Sequence, residues 1–596
     1  MKKTSNSHLT TDKTERYASE RFQGATGLNW YTSDPTLQRA LRYHMRADDM
    51  EWAQPYLERS GSLMGGIVSE NAEITDRNPP QLVRYDRWGH EVNDVILPDS
   101  AVRAKRAILD NRFASRDMID AARRDGVRTE LPAFAEGYML CQADIGMSCA
   151  LGTGTAMIQR LVSEFAPPDI REWVNAKFES GEWEGETAQM FTERAGGSDL
   201  GALEMTATPE GDHYLLNGFK WFASNANGQV YVVLAKPIGA PDNVKGVCSF
   251  LVMRQQRDGT PNGIHIRRLK DKLGTKTVAS CEVEFVDAEA FLMSAAPDID
   301  DAGHVGGDGK GLTRMMQMTN DARLGVSMMG LGAARRALVE SICYARSRDA
   351  FGKTLIEHPL MKRKLAEMMV DVEAGLAMLL DGYGYPNNLR SGADREKLRL
   401  TPAIIKLKMA RLGITAASDA IEIHGGNGYI ESWPVARILR DAQVNTIWEG
   451  GDNILCLDVR RAMEREKAEG PFLARLREAV DNAGESPEAN AVARSVDDLV
   501  AAIDAWRSLD RETAEARLFP LAQFMGDVYA AALLIEQAEW EQREYGDTRK
   551  GLVARLFIDR YLADRGPLRG IDEPRSPVLD RFDELLAGAL ADDRAR

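Results

Sequence analysis

At 596 residues the chain is too long for one ordinary hydrophobic core and calls for three or four packed units. It is 44% hydrophobic and 28% charged, the balance of a globular chain. Lys and Arg number 75 against 90 Asp and Glu, a formal charge of −15, which excludes a chain built mainly to coat nucleic acid.

Six scattered cysteines, Cys141, Cys149, Cys248, Cys281, Cys343 and Cys456, form no CxxC pair and read as buried small hydrophobes of a reducing compartment. The opening Met1-Lys2-Lys3-Thr4-Ser5-Asn6-Ser7 has no apolar run behind its lysines and does not read as a secretory signal. No run approaches the roughly 18 apolar residues needed to cross a bilayer. A cytoplasmic protein without membrane segments is expected.

From about residue 35 to 185 the pattern predicts helices, as in Ala101 to Ala122 and Ala143 to Phe165, where apolar residues return every three or four positions. Between about 186 and 290 it turns strand-like. Asn217-Gly218 reads as a turn between apolar runs, and Val230 to Leu234, Val247 to Met253 and Ser280 to Val286 are rich in β-branched and aromatic residues. A small antiparallel barrel or sandwich is predicted there. A Gly/Asp-rich connection, Asp298 to Gly311, leads to helices over Arg323 to Arg346, Leu360 to Leu380 and Pro402 to Ile423, with a polar linker near 384–401 and a cap at Gly425. Beyond Arg461 a further helical segment runs to Arg596, broken near 481–490. The expected units are 1–185, 186–295, 296–462 and 463–596.

Several glycine patterns fail as motifs. Gly152-Thr153-Gly154 and Gly330-Leu331-Gly332 begin a GxGxxG, but Met157 and Arg335 occupy the third glycine position and no strand precedes either. Gly309-Lys310 lacks the rest of a P-loop. No His, Cys or Asp cluster has metal-ligand spacing, and there is no GxSxG nucleophile elbow. The chain is therefore expected to do its chemistry without metal, covalent serine or a Rossmann site, or to do none.

Three segments place polar and glycine residues where packing alone does not call for them. Met190-Phe191-Thr192-Glu193-Arg194-Ala195-Gly196-Gly197-Ser198-Asp199, followed by Lys220-Trp221-Phe222-Ala223-Ser224-Asn225, offers aromatic, hydroxyl and backbone N–H groups suited to a flat heteroaromatic cofactor. Arg346-Ser347-Arg348-Asp349-Ala350-Phe351-Gly352-Lys353 is either a cationic helix end or a guanidinium for a phosphate beside an aromatic ring. Ala420-Ile421-Glu422-Ile423-His424-Gly425-Gly426-Asn427-Gly428-Tyr429 precedes Leu439-Arg440-Asp441 and Ile447-Trp448-Glu449-Gly450-Gly451-Asp452-Asn453-Ile454. A carboxylate between Trp and Gly at a helix entrance suits a general base in an apolar pocket. It equally suits a helix-capping Glu.

Together these segments resemble the acyl-CoA dehydrogenase family, with its motif order TExxGGSD, KWFxSN, RxxFGK, GGNGY and RDxxxxxIWEG, over about residues 130 to 462. Lys270-Asp271-Lys272-Leu273-Gly274, Ser280 to Phe285 and Trp448-Glu449-Gly450 look closest to the AidB-type (alkylation-response) branch, as does the long C-terminal addition. The resemblance implies an α+β, mainly α fold: an N-terminal helical domain, a middle β-barrel or sandwich, a C-terminal four-helix bundle and an extra helical domain, with FAD between them. It implies FAD-dependent α,β-dehydrogenation of an acyl-CoA thioester in fatty acid metabolism, electrons passing to an electron-transfer flavoprotein.

By the same resemblance, Glu449 takes the α-proton while the β-hydride passes to flavin N5, and Arg323 stands beside it. Phe191, Thr192, Ser198, Phe222, Ser224 and Asn453 match FAD contacts. Arg348, Phe351, Glu422, Gly425 and Gly426 match positions that reach the FAD of a neighbouring subunit, which implies a homodimer or homotetramer. Ser198, Asn320, Arg323 and Gly450 are expected at the substrate.

There are departures. Glu422 stands where Gln is common, and a carboxylate beside a pyrophosphate is repelled; Pro359 and Gly451-Asp452 replace a Gln and a Thr-Ser pair. The alternative is an AidB-like DNA-associated or lipid-sequestering flavoprotein with little turnover. Against DNA, residues 463–596 carry 19 Lys and Arg but 28 Asp and Glu, a balance of −9.

Overall fold

Among the described residues, the first helix starts where its sequence says it should. Asp34 precedes Pro35, and its carboxylate accepts the backbone N–H of Leu37 at 2.9 Å, so cap and proline together begin α1 (Pro35–His44). The computed structural model describes residues 24–113, 116–152, 155–183, 187–294, 311–383, 399–564, 566–567, 571, 573 and 575–591. The polar opening residues, Thr153 and Gly154, nearly all of the Gly/Asp-rich connection and most of the 384–401 linker lie outside them.

Helices α2 (Ala47–Leu63), α3 (Ser69–Arg77), α4 (Asp99–Leu109), α5 (Arg116–Asp125), α6 (Glu130–Ala143), α7 (Ile145–Gly152), α8 (Thr155–Phe165) and α9 (Pro168–Glu179) follow. The helical runs expected over 101–122 and 143–165 are therefore divided, and the all-helical texture is interrupted by a hairpin of β1 (Gln81–Tyr85) and β2 (Glu91–Ile96). That hairpin is mostly exposed and is anchored from outside its own segment. Arg254 donates to the Asn93 carbonyl at 3.0 Å, and Glu91 pairs with His265 at 2.9 Å.

The middle of the chain forms β3 (Thr187–Met190), β4 (Thr206–Glu210), β5 (His213–Ser224), β6 (Val230–Pro237), β7 (Cys248–Met253), β8 (Ile264–Leu269) and β9 (Ser280–Leu292). Strands β6, β4, β5, β9 and β7 succeed one another, and β7 returns to β6, closing a barrel; β3 lies parallel to β6, and β8 pairs with β9. Closure removes free sheet edges.

Asn217-Gly218 is not a turn. It lies inside β5, where Gly218 adopts φ +150 at a register shift and a Cβ would come within 2.9 Å of Met205 Cα. Pairing with β4 on one side and β9 on the other outweighs the local turn preference, and the Asn217 side chain bonds Asp287 across the bulge.

Helix α10 (Gly311–Ser347) leads through a two-residue hairpin, β10 (Asp349–Ala350) and β11 (Lys353–Thr354), to α11 (Pro359–Gly382), α12 (Thr401–His424), α13 (Pro434–Gln443) and α14 (Asp452–Arg461). Gly425 ends α12 at φ +60, as expected of a glycine cap. The Gly330-Leu331-Gly332 pair serves packing. A Cβ at Gly330 would meet the Met409 carbonyl at 2.3 Å, and one at Gly332 would meet Cys141 Cβ at 2.6 Å, so these glycines let α10 approach α12 and α6.

The C-terminal helices are α15 (Glu469–Asn482), α16 (Pro487–Arg507), α17 (Arg511–Ala516), α18 (Leu518–Tyr545), α19 (Arg549–Tyr561) and, after Pro577–Asp580, α20 (Phe582–Ala589). Contrary to the sequence expectation, α18 is long and apolar enough to cross a membrane, but 72% of its most apolar window is buried against neighbouring helices. It is the central helix of this unit. Arg475 joins Asp381 of α11 (2.9 Å) to Glu536 of α18 (2.6 Å), and Lys408 of α12 pairs with Asp527 (2.6 Å). One apolar core runs from α1 through α10–α14 into these helices, while the barrel has its own. All six cysteines are buried and unbridged.

Candidate active site

Between the 3-10 turn Val444–Thr446 and α14 the backbone takes two left-handed residues, Glu449 at φ +55 and Gly450 at φ +100. A carboxylate residue seldom holds that conformation unless its surroundings impose it. Here both carbonyls are held. Arg323 Nε donates to the Glu449 carbonyl at 3.3 Å, and Lys406 Nζ donates to the Gly450 carbonyl at 2.5 Å.

Each of these cations is buried. Arg323, on α10, also donates to Asn320 Oδ1 at 3.0 Å and to Asp458 of α14 at 2.5 Å; Asp458 in turn takes Arg399 at 2.9 Å. Burial alone would raise the Asp458 carboxyl, but Arg399 and Arg323 overcome this and hold it below the usual carboxylate range. Lys406 is the one charged side chain in the buried run Pro402 to Leu407, and burial lowers its ammonium to about 8.

The Glu449 carboxylate points toward the barrel. Gln189 Nε2, on β3, donates to its Oε1 at 3.0 Å. Burial drives this carboxyl above its ordinary range, with Arg323, Gln189 and Lys406 pulling it back. A carboxylate raised in this way is a better match to a weakly acidic carbon proton than a solvated one.

Two and three residues past Gln189 come Phe191 and Thr192, whose loop is fastened to β5. Trp221 N–H donates to the Thr192 carbonyl at 2.9 Å. Lys220, wholly buried, donates to the Phe191 carbonyl (3.3 Å), the Leu234 carbonyl (2.7 Å) and Glu193 (2.6 Å). Glu193 accepts the N–H of Glu204 at 2.6 Å, and burial holds the Lys220 ammonium down at about 8. The buried pair thus locks the loop to the barrel. Beside it Phe222 is 53% exposed, and Ser224 Oγ lies 3.0 Å from Ser280 Oγ. An exposed ring with hydroxyls and strand backbone, fastened to the loop that follows Gln189, fits a flat heteroaromatic ring system. Ser198 and Asn453 are exposed.

The other expected residues stand elsewhere. Arg348 follows the end of α10, twenty-five residues beyond Arg323, roughly 37 Å at 1.5 Å per residue. At that end Asn427 donates to Tyr344 Oη at 3.2 Å, and His424 stacks on the Tyr344 ring, which places Gly425, Gly426 and Glu422 near Arg348 and Phe351. Phe351, at φ +53, caps the hairpin and is 96% exposed. Glu422 turns outward to Lys364 at 3.5 Å. Within one chain, then, Glu449, Gly450, Arg323 and Asn320 meet the Phe191–Thr192 loop, whereas Arg348, Phe351, Glu422, Gly425 and Gly426 form a second group at the far end. Gln189, Lys406, Asp458 and Arg399 were missed from sequence. Lys406 was detectable as a single charged residue in a buried apolar run, whereas Gln189, on a short strand among Thr187, Ala188 and Met190, carries no such signal.

Residues 22–184 match the adaptive response protein AidB N-terminal domain, 188–288 the acyl-CoA dehydrogenase middle domain and 309–464 the acyl-CoA dehydrogenase C-terminal domain. The putative acyl-CoA dehydrogenase AidB of Escherichia coli is 30% identical over 451 residues, 74% of this chain and 78% of that one.

The chain belongs to the acyl-CoA dehydrogenase family.

Among solved members of that fold, Caenorhabditis elegans ACDH-11 in complex with C11-CoA superposes with a TM-score of 0.78 at 24% identity, covering 91% of this chain and 93% of that one. An acyl-CoA dehydrogenase from Bacillus anthracis, complexed with FAD, superposes at 0.66 with 18% identity, over 82% and 90% of the two chains. Residues beyond 464, including α15–α20, lie outside the family domain matches.

Proposed function

We propose that this acyl-CoA dehydrogenase family member removes one hydrogen from each of Cα and Cβ of an acyl-CoA thioester, with Glu449 as the base. The observation that carries this reading is the Glu449 carboxylate itself, raised by burial and held at 3.0 Å by Gln189, on a backbone fixed by Arg323 and Lys406.

The cofactor is FAD, which when bound supplies the acceptor for the electron pair and hydrogen leaving Cβ. Thr192 and Ser224 would hold the ring system and Phe222 would lie against it, with Ser198 and Asn453 toward its phosphates and adenine. Glu449 Oε receives the α-proton. The left-handed turn presents the Glu449 backbone N–H toward the thioester oxygen, where developing negative charge is stabilised. Arg323, Asn320 and Gly450 set the position of that turn, and Ser198 lies toward the CoA side.

Arg348, Phe351, Glu422, Gly425 and Gly426 would complete the FAD site of a second copy, in a homodimer or homotetramer. Their separation from Glu449 along α10 and the bare Phe351 ring support this. The acceptor for the flavin's electrons would be an electron-transfer flavoprotein.

The test is flavin absorbance against short, branched, long and aromatic acyl-CoAs. At least one should bleach the purified holoprotein, and Glu449→Gln should bind it without bleaching. If no member of the panel reduces the flavin, the reading fails and a sequestering role replaces it.

A further inference from the structure

A cavity of about 560 Å³ opens between the turn Ala462–Lys467, the end of α16 and the start of α17. Five cations line it, Arg460, Arg465, Lys467, Arg507 and Arg511, with Glu464 as the acid among its lining residues. Two of the five are spoken for. Arg460 pairs with Glu515 at 2.6 Å, and Arg507 pairs with Glu469 and with Asp504 at 3.5 Å. Arg465, Lys467 and Arg511 have no carboxylate partner among the described residues.

This convergence runs against the local charge, since the segment 463–596 carries a balance of −9. Unpaired cations scattered over a surface are ordinary, but three facing one concavity focus a positive potential there. Lys467 also occupies the left-handed position, φ +54, that ends the turn, where glycine is the common residue. A long cation is thus kept at a site that local backbone preference would give to glycine.

Trp506 and Leu509 form one wall of this cup and also line an adjoining groove of about 480 Å³ with Ala505, Pro520, Leu521 and Phe524. The Trp506 ring is fixed by its N–H bond to the Ala514 carbonyl at 2.8 Å. A cationic cup and an apolar groove therefore share a rigid wall, each within the size range of small-molecule sites. None of these residues belongs to the candidate active site.

We propose that cup and groove together bind one amphiphile with an anionic head, a phosphate or carboxylate in the cup and an alkyl chain over Trp506, Leu509 and Phe524. The acidic surroundings and concave shape disfavour a nucleic-acid duplex, which needs an extended basic face.

The experiment is calorimetric titration of the full-length holoprotein with monomeric dodecyl phosphate, its active site presaturated with a tight acyl-CoA. One remaining site is expected. Binding should weaken at least tenfold in Arg465→Glu/Lys467→Glu/Arg511→Glu and, separately, in Leu509→Asp, both judged folded by circular dichroism and retained FAD. Inorganic phosphate alone and dodecanol alone should each bind at least tenfold more weakly than dodecyl phosphate. Equal binding of inorganic phosphate overturns the apolar half of the proposal. Unchanged binding in the triple variant overturns it entirely. So does association only with vesicles containing phosphatidic acid, or only with DNA duplex, since neither uses a site for a single molecule.

Discussion

The side-chain amide of Gln189 donates to Oε1 of Glu449 at 3.0 Å, joining a barrel strand to a turn 260 positions later in the chain. The base that performs the proposed chemistry is thereby tied to the loop that would hold the flavin. Removing the amide, as in Gln189→Leu, withdraws a donor that favours the ionised carboxylate. The carboxyl, already raised by burial, should rise further. Because the base works ionised, the acidic limb of the kcat profile should move to higher pH. Turnover just above the wild-type limb should fall about tenfold, the scale of a hydrogen bond to a charge. A limb that stays in place would show that Gln189 does not act on the base.

Asp458 bridges Arg323 and Arg399, and all three side chains are largely withdrawn from water. Asp458→Ala leaves buried Arg323 without its carboxylate and Arg399 with Glu466 alone, and should cost about 3 kcal/mol, read from urea unfolding at neutral pH. The folded carboxyl lies below its unfolded value, so its contribution is present above the ordinary carboxylate range and lost as pH falls through the folded value. The gap between variant and wild type should therefore narrow in acid. A gap that widens in acid contradicts this assignment.

Phe351 leaves its ring in the open, touching little in its own chain beyond the edge of His358, 6.1 Å away between ring centres. Phe351→Asp should leave the fold of one chain intact. If the ring belongs to a subunit contact, the variant should show a reduced molar mass by light scattering and several-fold lower FAD occupancy. Unchanged mass and occupancy would sink the shared-site reading.

Glu136, buried on α6, is raised to about 7, chiefly by desolvation, although the Phe113 N–H donates to it at 3.0 Å. A carboxyl raised on folding lends stability that is complete below its unfolded value and lost as pH climbs through about 7. Glu136→Gln, which does not titrate, should gain on wild type between about pH 4.5 and 7, by on the order of 3 kcal/mol, and then hold level. Parallel pH dependences in the two proteins would refute it.

The order of helices, strands and helices was legible because periodicity is local: a stripe of apolar residues at helical spacing, or a β-branched run, needs no partner to be recognised. Family membership was legible because five motifs kept their order, and with it came Glu449 as the candidate base. The β1–β2 hairpin and the continuous β5 were not legible. The first is anchored by Arg254 and His265 from the barrel, and the second is enforced by strands on both sides of Asn217-Gly218.

Sequence alone determined the fold class, the family and the identity of the carboxylate proposed to do the chemistry, since these reside in residue type and short-range spacing. Tertiary structure decided what surrounds that carboxylate. Gln189, Arg323, Lys406 and Asp458 come from four separate elements, and only packing brings their charges and donors within hydrogen-bond range. It also decided where the acidic C-terminal addition gathers cations that have no carboxylate partner among the described residues. A net charge sums over the whole surface, whereas a binding cup depends on which few cations are left unpaired and face one another.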